Sequence, residues 1–265
     1  MDLDALRACL RGGPSASAPV PAQAAPPATA ERIAAPVTSD DALDLVDRPL
    51  VPAAVLVPIL HGPAPGVLLT KRTAHLKAHA GQVAFPGGRM DPGDPTSEAA
   101  ALREAHEEVG LLPEAVELAG RLPDYVTGTG YRITPVLGLL PSGLELVPSP
   151  DEVEAIFTLP LHVLLDPAAP RRQRALFRGR MREYWVWPHP EHHVWGATAA
   201  ILVNLAYRLR AQGVETSPGC ATDAPRPASP GAREVAVCGG PSERPSPFRM
   251  GETEFRPTSG RIAAR

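Results

Sequence analysis

The chain has 265 residues, a net charge of −3 and a pI near 6.2. That is enough for one sizeable domain with appendages, without the strong basic balance that sequence-independent nucleic-acid binding needs. Three cysteines, Cys9, Cys220 and Cys238, have no CxxC spacing, which points to neither a zinc site nor a disulfide scaffold and makes a reducing, cytoplasmic setting the default. The longest apolar run, 50–60, is broken by Pro52 and Pro58 and is too short for a bilayer, and the acidic opening Met1-Asp2-Leu3-Asp4 lacks the pattern of a secretory signal.

In chain order, 2–10 reads as one or two amphipathic helical turns, and 11–40 is Ala/Pro/Ser-rich. Together they suggest a flexible leader over 1–44. Strands are expected at 53–60, 66–72, 82–86, 116–123, 132–140, 153–158, 173–178 and 182–187, a short helix at 160–165, and a long one at 195–210 whose Leu202, Leu205 and Leu209 form an apolar stripe. The domain spans 45–212, and strands interleaved with two substantial helices suggest a mixed sheet sandwiched by helices. From 213 to 265 the chain is rich in Pro, Gly, Ser and Arg with isolated apolar residues, a composition that cannot offset its ordering entropy, so it reads as a disordered tail.

The remaining helix carries the chemistry. Residues 103–111 read Arg-Glu-Ala-His-Glu-Glu-Val-Gly-Leu. At a step of about 100° per residue, Glu104, Glu107 and Glu108 share one narrow sector. Leu102, Ala105 and Val109 face the opposite way as the expected core face, and Ala100 and Ala101 lie one turn earlier on the carboxylate side. Like charges at this spacing destabilise a helix by a few tenths of a kcal/mol, roughly. Hard cations such as Mg²⁺ or Mn²⁺ remove that conflict and favour phosphate substrates. A solvated Glu-rich face is the alternative that these residues alone leave open. Upstream, Gly87-Gly88 closes the run 82–86 and an acidic loop, Asp91-Pro92-Gly93-Asp94, follows. Asp94 before Pro95 suits an N-cap, Glu98 the first turn, Gly110 the C′ position, and Pro113 the stop.

This segment resembles the Nudix box, Gly-x5-Glu-x7-Arg-Glu-apolar-x-Glu-Glu-x-Gly-apolar. Arg103 through Leu111 fit every specified position, whereas Asp94 stands in place of Glu, with one residue inserted before Arg103. A second stretch, Leu68-Leu69-Thr70-Lys71-Arg72-Thr73, then Lys77, Gly81 and Phe85-Pro86-Gly87-Gly88, resembles the signature of the coenzyme A diphosphatase branch. Thr73 stands for Ser/Ala and Lys77 for Arg, a change that loses the planar bidentate fork. Residues 194–199, Val-Trp-Gly-Ala-Thr-Ala, are similar to the start of that branch's closing helix.

The resemblance implies a Nudix α/β/α sandwich and metal-dependent hydrolysis of the diphosphate bond of coenzyme A or its derivatives, giving 3′,5′-ADP and 4′-phosphopantetheine or its acyl form. Glu104, Glu107 and Glu108 are then the metal ligands, with Mg²⁺ or Mn²⁺ as cofactor, and Arg103 orients them, pairing with Glu107. Gly87 and Gly88 allow a backbone approach that a Cβ would block. Arg72 and Lys77 are candidates for substrate phosphates, with Lys71 weaker. Glu152, entering a strand after a Pro-rich loop, is the preferred distal general base, against an ordinary exposed loop acid. His75 and His79 are open to ligand or structural roles. His189, His192 and His193 are expected in a loop without metal, because Pro188 and Pro190 break any helix that would align them. Tyr184, Trp185, Trp187 and Trp195 are open to adenine stacking, core or dimer packing. The expected partner is a small molecule, with neither nucleic acid nor membrane, and a homodimer is left open. Two alternatives stand beside this reading: a Nudix diphosphatase for another substrate such as ADP-ribose, and a non-catalytic Nudix-fold binding module.

Overall fold

The computed structural model describes residues 3–11, 37–39, 49–76, 79–177 and 179–212. The chain divides after Gly219. The 213–265 tail, Lys77, and most of the 1–44 leader lie outside the described residues.

The elements run α1 (Leu3–Arg11), β1 (Val51–His61), β2 (Gly66–Arg72), β3 (Val83–Ala84), β4 (Gly87–Arg89), α2 (Ser97–Val109), β5 (Glu117–Arg121), β6 (Tyr125–Val126), β7 (Tyr131–Pro141), β8 (Val153–Pro160), α3 (Leu161–Leu165), β9 (Arg171–Phe177), β10 (Arg180–Trp187), β11 (Val194–Trp195) and α4 (Gly196–Ala211). A mixed sheet has the order β3-β2-β1-β7-β5, with β4 also on β1, β6 on β7 and β8 on β2, and β11-β10-β9 form a second, antiparallel sheet. The expected run at 82–86 is split: β3 ends at Ala84, and Gly87-Gly88 belongs to a strand of its own, β4. The two-residue strands β6 and β11 were too short to leave a periodic signal.

The central strand, β1, runs parallel to β7 along its whole length, from Val51 opposite Tyr131 to His61 opposite Pro141. Its other edge is shared by β4, against 53–55, and β2, against 59–60. The Leu56 N–H points to that edge, donating to the Pro86 carbonyl at 2.8 Å. Two residues on, Pro58 lacks an N–H where one partner has ended and the other has not begun, so this proline costs no ladder bond.

The sheet is covered on both faces. On one, Ala100, Ala101, Ala105 and Val109 of α2 pack on Ala54, Leu56, Val136, Leu140 and Val153. On the other, α4 with α1 and α3 covers Val57, Ile59, Val67, Leu69, Leu137, Leu139 and Leu159. This is an α/β/α sandwich. The apolar stripe read on α4 is broader than expected, because Ala199, Ala200, Ile201, Val203 and Ala206 are buried as well as Leu202, Leu205 and Leu209. No helix among the described residues is long and apolar enough to cross a membrane.

The first residues depart from the leader reading. Leu6 and Leu10 of α1 are fully buried in the α4-side core. Arg7 forks onto Glu117 at 2.6–3.0 Å, and Arg208 donates to the carbonyls of Leu10 and Arg121. Farther along, the buried Asn204 amide both accepts from the Val37 N–H and donates to its carbonyl, each at 2.7 Å, and Ser39 bridges Val126. Truncating Leu10 to Ala should therefore cost about 2–5 kcal/mol, as for other buried leucines, read as a lower urea midpoint. An unchanged midpoint would mean that α1 is not part of the cooperative core.

Candidate active site

The site begins with how closely α2 approaches the sheet. Its contact face is built from alanines, with Ala100, Ala101 and Ala105 at 0% exposure. Small side chains let the helix axis lie close to β1 and β4. The wheel is therefore rotated from the expected one: Ala100 and Ala101 are core, and Leu102 is only half-buried. The helix is capped by Thr96, whose Oγ1 accepts from the Ala99 N–H at 3.1 Å, and not by Asp94. Asp94 is engaged elsewhere, accepting from the Asp91 N–H and from Arg103. Gly110 ends α2 in the left-handed region at φ 68°, as its sequence position suggests.

Because α2 lies so close, Glu104 and Glu108 reach the glycine strand. Gly88 lies so near Glu104 that a Cβ there would come 2.7 Å from the carboxylate. Gly87, at φ 153°, packs on the backbone of Ala54 and Val55, and its N–H donates to Glu108 Oε2 at 3.2 Å. Gly87 is thus required by the close approach of a strand, whereas the absent Cβ at Gly88 leaves room for the Glu104 carboxylate in its present position.

Glu108 is only 2% exposed. Its other oxygen accepts from Arg72 at 3.1 Å. Burial pushes the Glu108 carboxyl up to about 7, against the opposing pull of Arg72 and the Gly87 N–H, with Glu152 and Glu104 adding repulsion. Burial also raises Glu104, opposed by Arg103 at 3.0 Å. The expected Arg103–Glu107 pair forms at 3.2 Å, and the same guanidinium reaches Asp94 at 2.9 Å. Glu107 stays more than half exposed.

Glu152 faces the same point from the turn that leads into β8, 3.9 Å from Arg72. It gets there through a bulge: β2 and β8 pair Lys71 with Ala155 but Arg72 with Val153. The extra residue, Glu154, pairs with Lys71 at 2.6 Å, so Lys71 is engaged there and not with this cluster. Bulges of this kind commonly redirect side chains beside a site. Arg72, Gly87, Gly88, Arg103, Glu104, Glu108 and Glu152 therefore converge, with Glu107 on the rim.

Among the other candidates, His189 and His192 stack with centroids 4.8 Å apart and pack on Phe157, a structural arrangement. Trp187 is core, Trp185 lies under Arg172 and Tyr184 meets Trp195 edge-on. His79 adopts φ 56° and bonds Gln82. Sequence reasoning left Thr73 without a role and His75 open between ligand and structural roles. Both hydrogen-bond the turn that bears Glu152, and no spacing rule would have found that contact.

Among the described residues no three acidic or imidazole groups are drawn into a closed ligand set. Glu108 turns to Arg72 and Gly87, and Glu104 and Glu107 turn to Arg103. The donor chemistry nevertheless fits a hard divalent cation: carboxylate oxygens only, with Glu108 buried and Glu104 part-buried beside glycines that leave the space open. The sign of the pH dependence follows from Glu108. With its carboxyl raised from 4.5 to about 7, the folded state binds a proton that the unfolded state does not. Stability without cation then falls as pH rises from about 4.5 to about 7, and a cation must displace that proton. Mg²⁺ or Mn²⁺ should raise the thermal midpoint more at pH 8 than at pH 6. An increment independent of pH would remove Glu108 from the ligand set.

The profile of the NUDIX domain matches residues 50–179. The chain is 46% identical over 157 residues to the uncharacterized Nudix hydrolase NudL of Escherichia coli (strain K12), covering 59% of this chain and 82% of that protein. The NudL protein of Shigella boydii serotype 4 (strain Sb227) matches at 46% identity with the same coverage, 59% and 82%. Among solved structures, the NUDIX domain of Shewanella oneidensis NrtR complexed with ADP ribose has a TM-score of 0.40 at 18% identity, over 62% of this chain and 89% of that one. RenU, a Nudix hydrolase from M. Smegmatis, has a TM-score of 0.36 at 25% identity, over 43% and 72%. The domain match spans the carboxylate helix and its glycine strand, and the NudL relatives are matched over most of their length, so the chain belongs to the Nudix hydrolase family.

Proposed function

We propose that this Nudix hydrolase cleaves the diphosphate bond of coenzyme A or a coenzyme A derivative. The observation that carries the reading is the 3.1 Å contact between Arg72 and the buried Glu108. It joins at one point the arginine of the upstream motif, which resembles the coenzyme A diphosphatase signature, and the last carboxylate of the Nudix-box segment. Lys77, from the same motif, lies outside the described residues. The cluster of three glutamates weighs against a binding module without turnover, since a pure binder has no need to retain carboxylates that repel each other.

In this reading Glu104, Glu107 and Glu108 hold Mg²⁺ or Mn²⁺. When bound, such a cation neutralises diphosphate oxygens and acidifies water at the site. The chain's own groups do the rest. Arg103 ties Asp94, Glu104 and Glu107 together and fixes the helix face against the loop before it. Gly87 and Gly88 keep the strand surface low enough for a phosphate to approach. Arg72 contributes a fixed positive charge between Glu108 and Glu152, placed for developing charge on a phosphoryl oxygen. Glu152, half exposed, takes the proton of the attacking water on a carboxylate oxygen, and the leaving phosphate departs as its own anion.

A panel of free coenzyme A, acyl coenzyme A, ADP-ribose and nucleoside triphosphates, assayed with Mg²⁺ or Mn²⁺ and scored by product, tests the substrate. The expected products from coenzyme A are 3′,5′-ADP and 4′-phosphopantetheine. Turnover of ADP-ribose with none of coenzyme A would overturn the substrate class and leave the family intact. Glu108→Gln keeps the shape of the side chain and removes its charge, so it should lower kcat by about 10²-fold or more with the fold retained. An unchanged rate would take Glu108 out of the mechanism.

A further inference from the structure

The turn that bears Glu152 is held from two sides. On the first, the Val147 N–H donates to the Val109 carbonyl at 3.0 Å and the Ser149 N–H to the Glu108 carbonyl at 2.8 Å, which docks the loop on the last turn of α2. On the second, the residues just past Arg72 reach across. The Thr73 N–H donates to the Glu152 carbonyl at 3.0 Å. The Thr73 hydroxyl donates to the Asp151 carbonyl at 3.1 Å, and His75 Nε2 lies 3.1 Å from that same oxygen. A carbonyl only accepts, so His75 carries its proton on Nε2 in this arrangement, and both lone pairs of the Asp151 oxygen are occupied.

This is more than an exposed turn needs. Asp151 and Glu152 are both exposed, and water would satisfy their carbonyls at little cost. Instead two successive carbonyls are gripped by three protein donors, one of them the hydroxyl of a threonine that is only 7% exposed. Two neighbouring carbonyls fixed in this way set the plane of the peptide between them and the direction in which the Glu152 side chain leaves the backbone. The same strand end supplies Arg72, the group that Glu152 faces at 3.9 Å.

We propose that Thr73 and His75 are positioning residues, which hold Glu152 at the distance from Arg72 and Glu108 that proton transfer requires. The inference rests on the reading of Glu152 as the base and extends it to two residues that touch neither substrate nor cation. The Thr73 hydroxyl and the His75 ring both meet the Asp151 carbonyl, so their influence on Glu152 passes through the backbone of the turn.

The test is a double-mutant cycle on full-length protein with coenzyme A and Mg²⁺. Thr73→Val removes the hydroxyl at nearly constant shape and should lower kcat about tenfold with KM changed less than about twofold, the pattern of a displaced reacting group. Thr73→Ser keeps the donor and should restore most of the rate. Placed on Glu152→Gln, Thr73→Val should cost nothing further, because a residue that acts through Glu152 has nothing left to position. His75→Gln, which retains an N–H of similar reach, should exceed His75→Ala in kcat. If Thr73→Val does not fold, as judged by thermal midpoint, the His75 pair carries the same cycle. Losses that add in the Glu152→Gln background, or a serine variant no better than valine, would overturn the latch while leaving Glu152 as the base. A Glu152→Gln enzyme as fast as wild type would overturn the base itself, and the latch with it.

Discussion

The approach of one helix to one glycine strand governs this molecule. A carboxylate at 2% exposure is costly in any protein, and Glu108 is tolerated because Arg72 and the Gly87 N–H both meet it. That arrangement exists only while α2 lies close to the sheet, which the small side chains of Ala100, Ala101 and Ala105 permit, while Gly88 leaves the Glu104 carboxylate its place. The same closeness raises the Glu108 and Glu104 carboxyls above their ordinary values. Core packing and site electrostatics are therefore one constraint. A larger residue at any of those alanines would lift the helix and loosen the site before it unfolded the domain.

Arginine is the second theme. Each proposed ligand is balanced by a guanidinium: Arg72 for Glu108, Arg103 for Glu104 and Glu107. The repulsion among the three glutamates is managed in this way, at modest benefit for the exposed pair and larger consequence for the buried one. Arg103 also secures Asp94, and Thr96, the residue before the first helical one, caps the helix. The inserted residue in the first half of the Nudix-box segment is thus absorbed in the loop and first turn, and the register of Glu104, Glu107 and Glu108 is untouched.

The long elements were legible because their signals are local. The apolar runs of β1, β2 and β7, and the carboxylate sector of α2, follow from period and capping, and their bounds differ from expectation by a few residues at most. Three features were not legible, each for a physical reason. The nine residues of α1 are followed by a Pro-rich stretch, and what buries Leu6 and Leu10 is a core built largely from residues far along the chain. Ala100 and Ala101 were assigned to the carboxylate side because a wheel shows angles and not how closely a partner packs. The grip of Thr73 and His75 on the 151–152 peptide depends on backbone carbonyls, which the identity of a residue does not reveal.

The parallel pairing of β1 with β7 has a consequence for how the domain forms. The two strands share their entire length, yet Arg72, the glycine strand and the carboxylate helix all lie between them in the chain, within 62–130, and Glu152 follows β7. The carboxylate helix and its glycine strand therefore emerge from the ribosome before the strand that completes the centre of the sheet. Until β7 arrives, β1 has only short antiparallel partners in β2 and β4, and one apolar edge stands open. Closing so long a loop is entropically slow and leaves that edge exposed in the meantime. The carboxylate helix and its glycine strand are thus made before the strand that locks them in place, and Glu152 joins them only after it.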